Sequence, residues 1–172
     1  LYEHHDDGSG VHISSRHRPI LNMKPKNGTW AFNADTHITA WLETREEGFD
    51  VLTDEDLHNE GYEALKDYRV VITGTHPEYW STDMLDSFTD WLEHGGRLMY
   101  MGGNGFYWRI AYHPEDSGII EVRRSEDGVR AWIAPEGEYY HQFTGEYGGL
   151  WRRLGRPPNQ LVGVGFAAQG SD

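Results

Sequence analysis

Two short stretches of the chain combine residues that transfer protons with residues that bind metals or small ligands. The first is GTHPEYWS, from Gly74 to Ser81, which places a histidine, a glutamate and a tyrosine around a proline. The second is GGNGFYW, from Gly102 to Trp108. Its glycines allow the backbone to approach a ligand closely, and its asparagine can donate an amide hydrogen bond. Together these stretches offer groups that can transfer protons and oxygen atoms that can bind a ligand.

Each stretch follows a predicted buried strand. RVVIT at 69–73 and RLMYM at 97–101 are continuous apolar runs, which are typical of strands covered on both faces. In open parallel sheets, ligands bind beyond the carboxyl ends of the strands, where loops meet the starts of helices. If the two strands are neighbours, we expect one crevice to be lined by His76, Glu78, Tyr79, Asn104 and Tyr107.

The spacing of apolar residues predicts elements that would position this crevice. Helical periodicity extends from Ala34 to Glu47, and FDVL at 49–52 is a predicted strand. TDEDLH predicts the capped start of a short helix, and Ser81 can cap a further helix that stops at Gly95. Trp41, Phe88 and Trp91 are expected to be core residues of these helices. Strands and helices that alternate through short joints predict an α/β fold, a parallel sheet with flanking helices. Beyond Gly118, IIEVRR, SEDG and VRAWIA predict an added β-hairpin with an Asp-Gly turn.

Composition limits the possible partners of this 172-residue chain. Fifteen Lys and Arg against 28 Asp and Glu give a net charge of −13, which would repel a nucleic acid backbone. Cysteine is absent, so a metal would be bound by oxygen or imidazole. The sequence offers no apolar run long enough to span a bilayer, and we expect a soluble, cytoplasmic protein with no membrane partner.

Several motifs together resemble one enzyme family. HPEYW, GGRLMYMGGNGFYW, TDEDLH and GEYGGLWR are similar to the C-terminal catalytic region of the large (beta) subunit of N,N-dimethylformamidase. The resemblance extends from DGSG near the start to LVGVGFAAQG near the end. It implies a class I glutamine-amidotransferase-like (flavodoxin-like) sheet, a mononuclear iron, and hydrolysis of N,N-dimethylformamide to formate and dimethylamine. Phenolate and carboxylate oxygens, the ligand atoms that the resemblance implies, favour ferric iron.

The resemblance also implies a larger assembly. We expect residues 1–30 to be an extended lead-in, and 31–172 to be an α/β domain within a fragment of a longer chain. In the family, this large subunit is paired with a small subunit. Partners implied for the parent enzyme are therefore a small amide substrate, a small subunit and further copies in a homo-oligomer.

The family's iron ligands are two tyrosines and a glutamate. The tyrosine of HPEYW corresponds to Tyr79, and the carboxylate to Glu146 in TGEYGGLW, with Glu138 in PEGEYYH as the alternative. The second tyrosine should precede WLE, where this chain has THITAWLE. His37 is the nearest residue there that can bind a metal.

The remaining site residues receive roles from their positions. His76 or the neighbouring Glu78 would pass a proton to the departing amine, and Asn104 would orient the substrate. A dry wall for a small apolar amide would come from Trp80, Phe106 and Tyr107. Two alternatives remain open: a non-catalytic binding or assembly domain of a larger oligomer, and hydrolysis of a different small amide or an ester.

Overall fold

The computed structural model describes residues 3–20, 23, 32–127 and 135–167. In chain order the elements are β1 (Ile13–Ser15), α1 (Phe32–Thr44), α2 (Asp54–Glu60), β2 (Val70–Ile72), β3 (Tyr79–Trp80), α3 (Thr82–Glu93), β4 (Arg97–Met99), β5 (Trp108–His113), β6 (Asp116–Val122), β7 (Gly149–Leu150) and α4 (Pro158–Val162). Short 3₁₀ turns lie at Gly61–Ala64 and Ser125–Asp127. Within these ranges no helix has the length and apolar character needed to cross a bilayer.

The strands form two separate sheets. The larger has the order β1-β6-β5-β3, with β7 also paired to β5. β5 and β6 form an antiparallel hairpin in which His113 pairs with Asp116 across a two-residue turn. β1 pairs antiparallel with β6, and β7 pairs antiparallel with β5. β3 runs parallel to β5. The smaller sheet consists of β2 and β4, which are parallel.

The predicted flavodoxin-like parallel sheet with flanking helices is wrong, because most strand pairs are antiparallel. Parallel neighbours need a crossover of a dozen or more residues, usually a helix. α3 provides such a crossover between β2 and β4, but no α-helix occurs between β4 and α4 in the part of the chain that the structure describes. After β4, β5 and β6 are joined by a two-residue turn and pair antiparallel, and β7 pairs antiparallel with β5. The predicted strand FDVL is also not formed.

The hairpin lies one strand earlier than predicted. It joins β5 to β6, and IIEVRR provides part of its second strand. At the predicted Asp-Gly turn, the described residues Ser125–Asp127 form a 3₁₀ turn. Asp127 accepts hydrogen bonds from the Leu150 N–H (2.9 Å) and from Arg153 (2.7 Å). VRAWIA, the predicted return strand, lies outside the described residues.

α3 organises the hydrophobic core. Ser81 caps the helix by accepting a hydrogen bond from the Met84 N–H (3.2 Å), as predicted from the sequence. One face of the helix is buried against β5, β6 and β7; its residues are Met84, Leu85, Phe88 and Trp91. A Cβ at Gly96 would lie 2.3 Å from the Trp91 ring, so only glycine fits there.

α1 does not join this core. The helix is present close to its predicted bounds, but none of its residues is buried, and Trp41 is 53% exposed. The prediction that Trp41 belongs to the core is therefore wrong. α1 is tied instead through Asp35, whose Oδ1 accepts hydrogen bonds from the Thr75 N–H (2.6 Å) and hydroxyl (2.9 Å).

Candidate functional site

The structure brings the two chemistry-bearing stretches together. The Phe106 N–H donates to the Pro77 carbonyl (2.8 Å). The Glu78 carbonyl accepts from the N–H groups of Tyr107 (3.0 Å) and Trp108 (2.9 Å). Because these bonds join backbone to backbone, the two loops form one rigid unit after β2 and β4.

Two glycines allow this close contact. Gly103 has φ +75, and a Cβ there would lie 2.6 Å from His76 Nδ1 and 2.7 Å from the Thr75 carbonyl. A Cβ at Gly105 would meet the Tyr100 ring at 2.6 Å. The Tyr100 hydroxyl donates to the Gly103 carbonyl (2.5 Å) and accepts from the Gly105 N–H (3.0 Å), which fixes the glycine loop against His76.

His76 and Glu78 form a partly buried acid–base pair. His76 Nε2 lies 3.4 Å from Glu78 Oε2, and the Glu78 side chain is 6% exposed. A carboxylate held next to an imidazole fixes the orientation of the ring. Asn104 is also buried, in the loop that contacts His76. This pair can move a proton at the edge of the site.

The three aromatic residues predicted to form the wall of the substrate pocket do not lie together on one surface. Trp80 and Phe106 are 4% and 1% exposed, and their rings stack at 4.5 Å inside the core. As placed, both support the loops rather than present a surface to a substrate. Tyr107 is half-buried and lines a cavity of about 270 Å³ with Phe166.

Glu146 is held by three donors. Its Oε1 accepts from the Thr82 hydroxyl (2.7 Å) and from the Arg109 guanidinium, and its Oε2 accepts from the Thr144 hydroxyl (3.0 Å). Burial opposes ionisation of Glu146, but the Thr82 hydrogen bond and the Arg109 charge outweigh it and hold the pKa of this carboxyl below its ordinary value. The carboxylate is therefore ionised and already neutralised by Arg109.

The other predicted ligands lie in different surroundings. Tyr79 opens β3, is half-buried and packs against the core. Glu138 accepts from Arg123 (3.0 Å) and lies 3.2 Å from His12 Nε2. His37 is exposed on α1, two residues after the Asp35 that binds the Thr75 loop.

A cleft of about 270 Å³ lies beside Glu146. Its polar lining comes from His58, Ser81, Thr82, Asp83, Thr144 and Glu146. His58 stacks on Tyr112 at 4.1 Å, and its Nδ1 lies 2.9 Å from the Ser81 hydroxyl. Burial lowers the pKa of His58, only partly offset by Asp83. The cleft has the size and polarity to hold a small molecule.

Comparison with known proteins identifies the family. Residues 1–172 match the family described as N,N-dimethylformamidase beta subunit-like, C-terminal. The chain belongs to this family. The N,N-dimethylformamidase beta subunits of Paracoccus aminophilus and of an Alcaligenes species are each 42% identical to it over 176 residues. Those alignments cover 99% of this chain and 23% of each relative, so the chain spans about a quarter of the length of the curated relatives it matches.

The iron implied by the dimethylformamidase family does not fit the predicted ligand set as arranged. A metal at Glu146 would have to displace Arg109, Thr82 and Thr144. His37 is exposed on α1, which is tied to the Thr75 loop rather than to Glu146. Among the residues that the structure describes, no group of three or more histidines, aspartates and glutamates could hold a metal ion. The ligand set stays a prediction.

The sequence did not predict that Arg109 binds Glu146 or that His58 lines the cleft. Arg109 pairs with Trp80 across β3 and β5, and this register brings its guanidinium to Glu146. The sequence assigned TDEDLH to a capped helix start. That is confirmed by the capping box between Thr53 and Asp56, but His58 also reaches the cleft. A lone arginine in a strand carries no local signal of its partner.

His141 is a buried imidazole next to this site. It is 1% exposed, and within the described residues neither ring nitrogen has a hydrogen-bond partner. Its backbone N–H donates to the Glu146 carbonyl (2.8 Å), and the ring lies close enough to the Arg109–Glu146 pair to feel both charges. Burial lowers the pKa of His141 to about 4, so the ring is neutral in the folded protein at neutral pH.

Acid is expected to destabilise the chain through His141. The unfolded chain binds the proton near pH 6.5 and the folded chain only near pH 4, so unfolding takes up a proton between these values. At 1.36 kcal/mol for each unit, the free energy of unfolding should fall by about 3 kcal/mol as the pH drops through this window. Urea unfolding at a series of pH values measures this fall.

The matched variants are His141→Phe, which removes the titrating ring, and His94→Phe at an exposed position. His141→Phe should flatten the pH dependence of stability between pH 6.5 and 4, whereas His94→Phe should retain it. Equal acid losses in all three proteins would show that His141 is not responsible.

Proposed function

We propose that the full-length protein containing this chain hydrolyses a small amide, N,N-dimethylformamide, to formate and dimethylamine. The observation that carries this proposal is 42% identity, over nearly the whole chain, to proteins named N,N-dimethylformamidase beta subunits. The partly buried His76–Glu78 pair, in the first of the two joined loops, supplies groups that such a reaction needs.

Amide hydrolysis requires help at two points. Water must attack a carbonyl carbon that resonance makes a poor electrophile, and the departing amine must receive a proton. In the proposed reaction the water oxygen bonds to the formyl carbon as the water gives a proton to His76. The C–N bond then breaks, and His76 delivers that proton to the amine nitrogen. Glu78 holds the imidazole in position. Asn104 can donate a hydrogen bond to the substrate.

Activity of the full-length protein tests the proposal directly. Purified protein, supplied with its partner subunit where one co-purifies, should release formate and dimethylamine in equal amounts from N,N-dimethylformamide. Related formamides, acetamides and esters should react more slowly. A protein that hydrolyses another amide or an ester preferentially would correct the substrate, and one that hydrolyses none would contradict the reaction.

Iron remains a prediction, with Tyr79 as its proposed phenolate ligand. Metal analysis of the full-length protein and a visible phenolate-to-iron absorption band test for it. Tyr79→Phe should lower the iron content and remove the band, whereas Tyr140→Phe, at an exposed tyrosine, should change neither. Iron content and colour that do not change with Tyr79→Phe would exclude Tyr79 as a ligand.

A non-catalytic assembly domain is the second candidate. Two observations favour it: the carboxylate of Glu146 is engaged by Arg109, and THITAWLE lacks the tyrosine of the family pattern. In that case, substitutions at His76 and Tyr79 would leave the hydrolysis rate and the iron content of the full-length protein unchanged.

A further inference from the structure

The small sheet of β2 and β4 has one covered face and one open face. Val71, Leu98 and Tyr100 pack against the hydrophobic core. The alternate residues Val70, Met99 and Met101 are 44%, 47% and 44% exposed. Because side chains alternate along a strand, these residues share one face of the sheet, together with the half-buried Ile72, rather than being scattered over the surface.

Further exposed apolar side chains lie next to this face. Val51 and Leu52 are 69% and 41% exposed. The Tyr68 hydroxyl donates to the Asp50 carboxylate (2.9 Å), which places this segment beside the start of β2. We call the surface formed by Val51, Leu52, Val70, Met99 and Met101 the open apolar face.

This arrangement is incomplete as a folding unit. Parallel sheets in folded proteins are covered on both faces, and two strands alone are marginally stable. Within the described ranges, β2 and β4 pair only with each other, so the outer edge of each strand is open. An exposed apolar sheet face with unpaired edges is typical of a surface that packs against further polypeptide.

We propose that the open apolar face docks against a segment of the same full-length polypeptide that lies outside residues 1–172. More than three quarters of each relative lies outside the matched segment, so the parent chain contains ample material to cover it. Parallel strands are usually extended by crossover connections within one chain. The inference does not depend on the proposed reaction.

The alternative of a second copy fits less well. Arg97 is exposed on the same face of β4 as Met99 and Met101. A two-fold contact through this face would bring two copies of Arg97 into one interface, where like charges repel. Strands of the parent chain can instead place an acidic or apolar residue opposite it.

Site-specific photo-crosslinking in the full-length protein tests the proposal. A benzophenone amino acid replaces Met99 on the open apolar face or, as a matched control, Val164, which is 57% exposed elsewhere in the chain. Both positions are exposed, so neither replacement disturbs the core. The Met99 derivative should give a crosslink within one polypeptide, mapped by mass spectrometry to residues beyond the 172, and Val164 should not share it.

Each other result overturns the proposal. A crosslinked band of doubled mass would assign the face to a second copy, and a band that contains another polypeptide would assign it to a partner subunit. A crosslink within the 172 residues, no crosslink at all, or the same crosslink from both positions would show that no outside segment docks on this face.

Hydrogen exchange in the full-length protein gives a second measurement. Val51→Lys or Met99→Lys should accelerate amide exchange in β2 and β4 by about tenfold or more, because a charge within the docked face loosens the contact that protects the small sheet. Val164→Lys should leave it unchanged. Equal exchange in all three variants and the unsubstituted protein would contradict the docking.

Discussion

Replacing Arg123 with methionine is expected to lower the free energy of unfolding of this chain by about 3–5 kcal/mol. Glu121 is fully buried, and its Oε1 accepts a hydrogen bond from Arg123 Nε (2.6 Å) while its Oε2 accepts from the Phe143 N–H (3.1 Å). Without Arg123, a charged carboxylate would remain buried without its partner. Urea unfolding followed by tryptophan fluorescence measures the loss.

Two further variants test whether the loss of stability comes from the unpaired Glu121 carboxylate or from the loss of any ion pair. Arg16→Met removes an exposed ion pair with Glu55 and should cost no more than about 1 kcal/mol. Adding Glu121→Gln to Arg123→Met removes the buried charge and should recover a large part of the stability. If Arg123→Met costs no more than Arg16→Met, the buried pair does not stabilise the hairpin.

Replacing His76 with glutamine is expected to lower the kcat of the full-length protein for dimethylformamide by about 100- to 10,000-fold. Glutamine keeps a polar side chain of similar length but cannot deliver a proton to the amine. KM should change little, because the imidazole acts on the proton rather than on ground-state binding. Steady-state release of formate measures both constants.

The control for this prediction is His94→Gln at the exposed end of α3, which should leave kcat unchanged. A kcat for His76→Gln within twofold of the unsubstituted protein would exclude His76 as the proton donor. It would also favour the assembly domain over the hydrolase, provided that Glu78→Gln has equally little effect.

Local sequence signals were sufficient for several features. The apolar spacing and the Ser81 cap predict α3, and its buried face is confirmed. Thr53 and Asp56 form the capping box of α2 within the segment predicted to be a helix. The family resemblance is confirmed by the match over the whole chain. These features depend on residues three or four positions apart, or on motifs read directly from the sequence.

The pairing direction of the later strands could not be predicted from such local signals. The apolar runs at β2 and β4 correctly imply neighbouring parallel strands, but WRIAYH in β5 has no signal that fixes its partners. It pairs with β3, β6 and β7, in two different directions. The prediction placed its hairpin beyond Gly118 and assigned no strand to WRIAYH, whereas the two-residue turn from β5 into β6 makes these two strands the antiparallel hairpin.

The sequence by itself therefore determined the family, two capped helices and the two stretches rich in chemistry. Only the tertiary structure decided that Trp80 and Phe106 are core residues, that Trp41 is exposed and that Arg109 holds Glu146. The physical reason is the distance along the chain between the residues that interact. Helix caps and periodic faces arise from neighbours along the chain, whereas a side chain's burial and charge partner are set by strand pairing between distant segments.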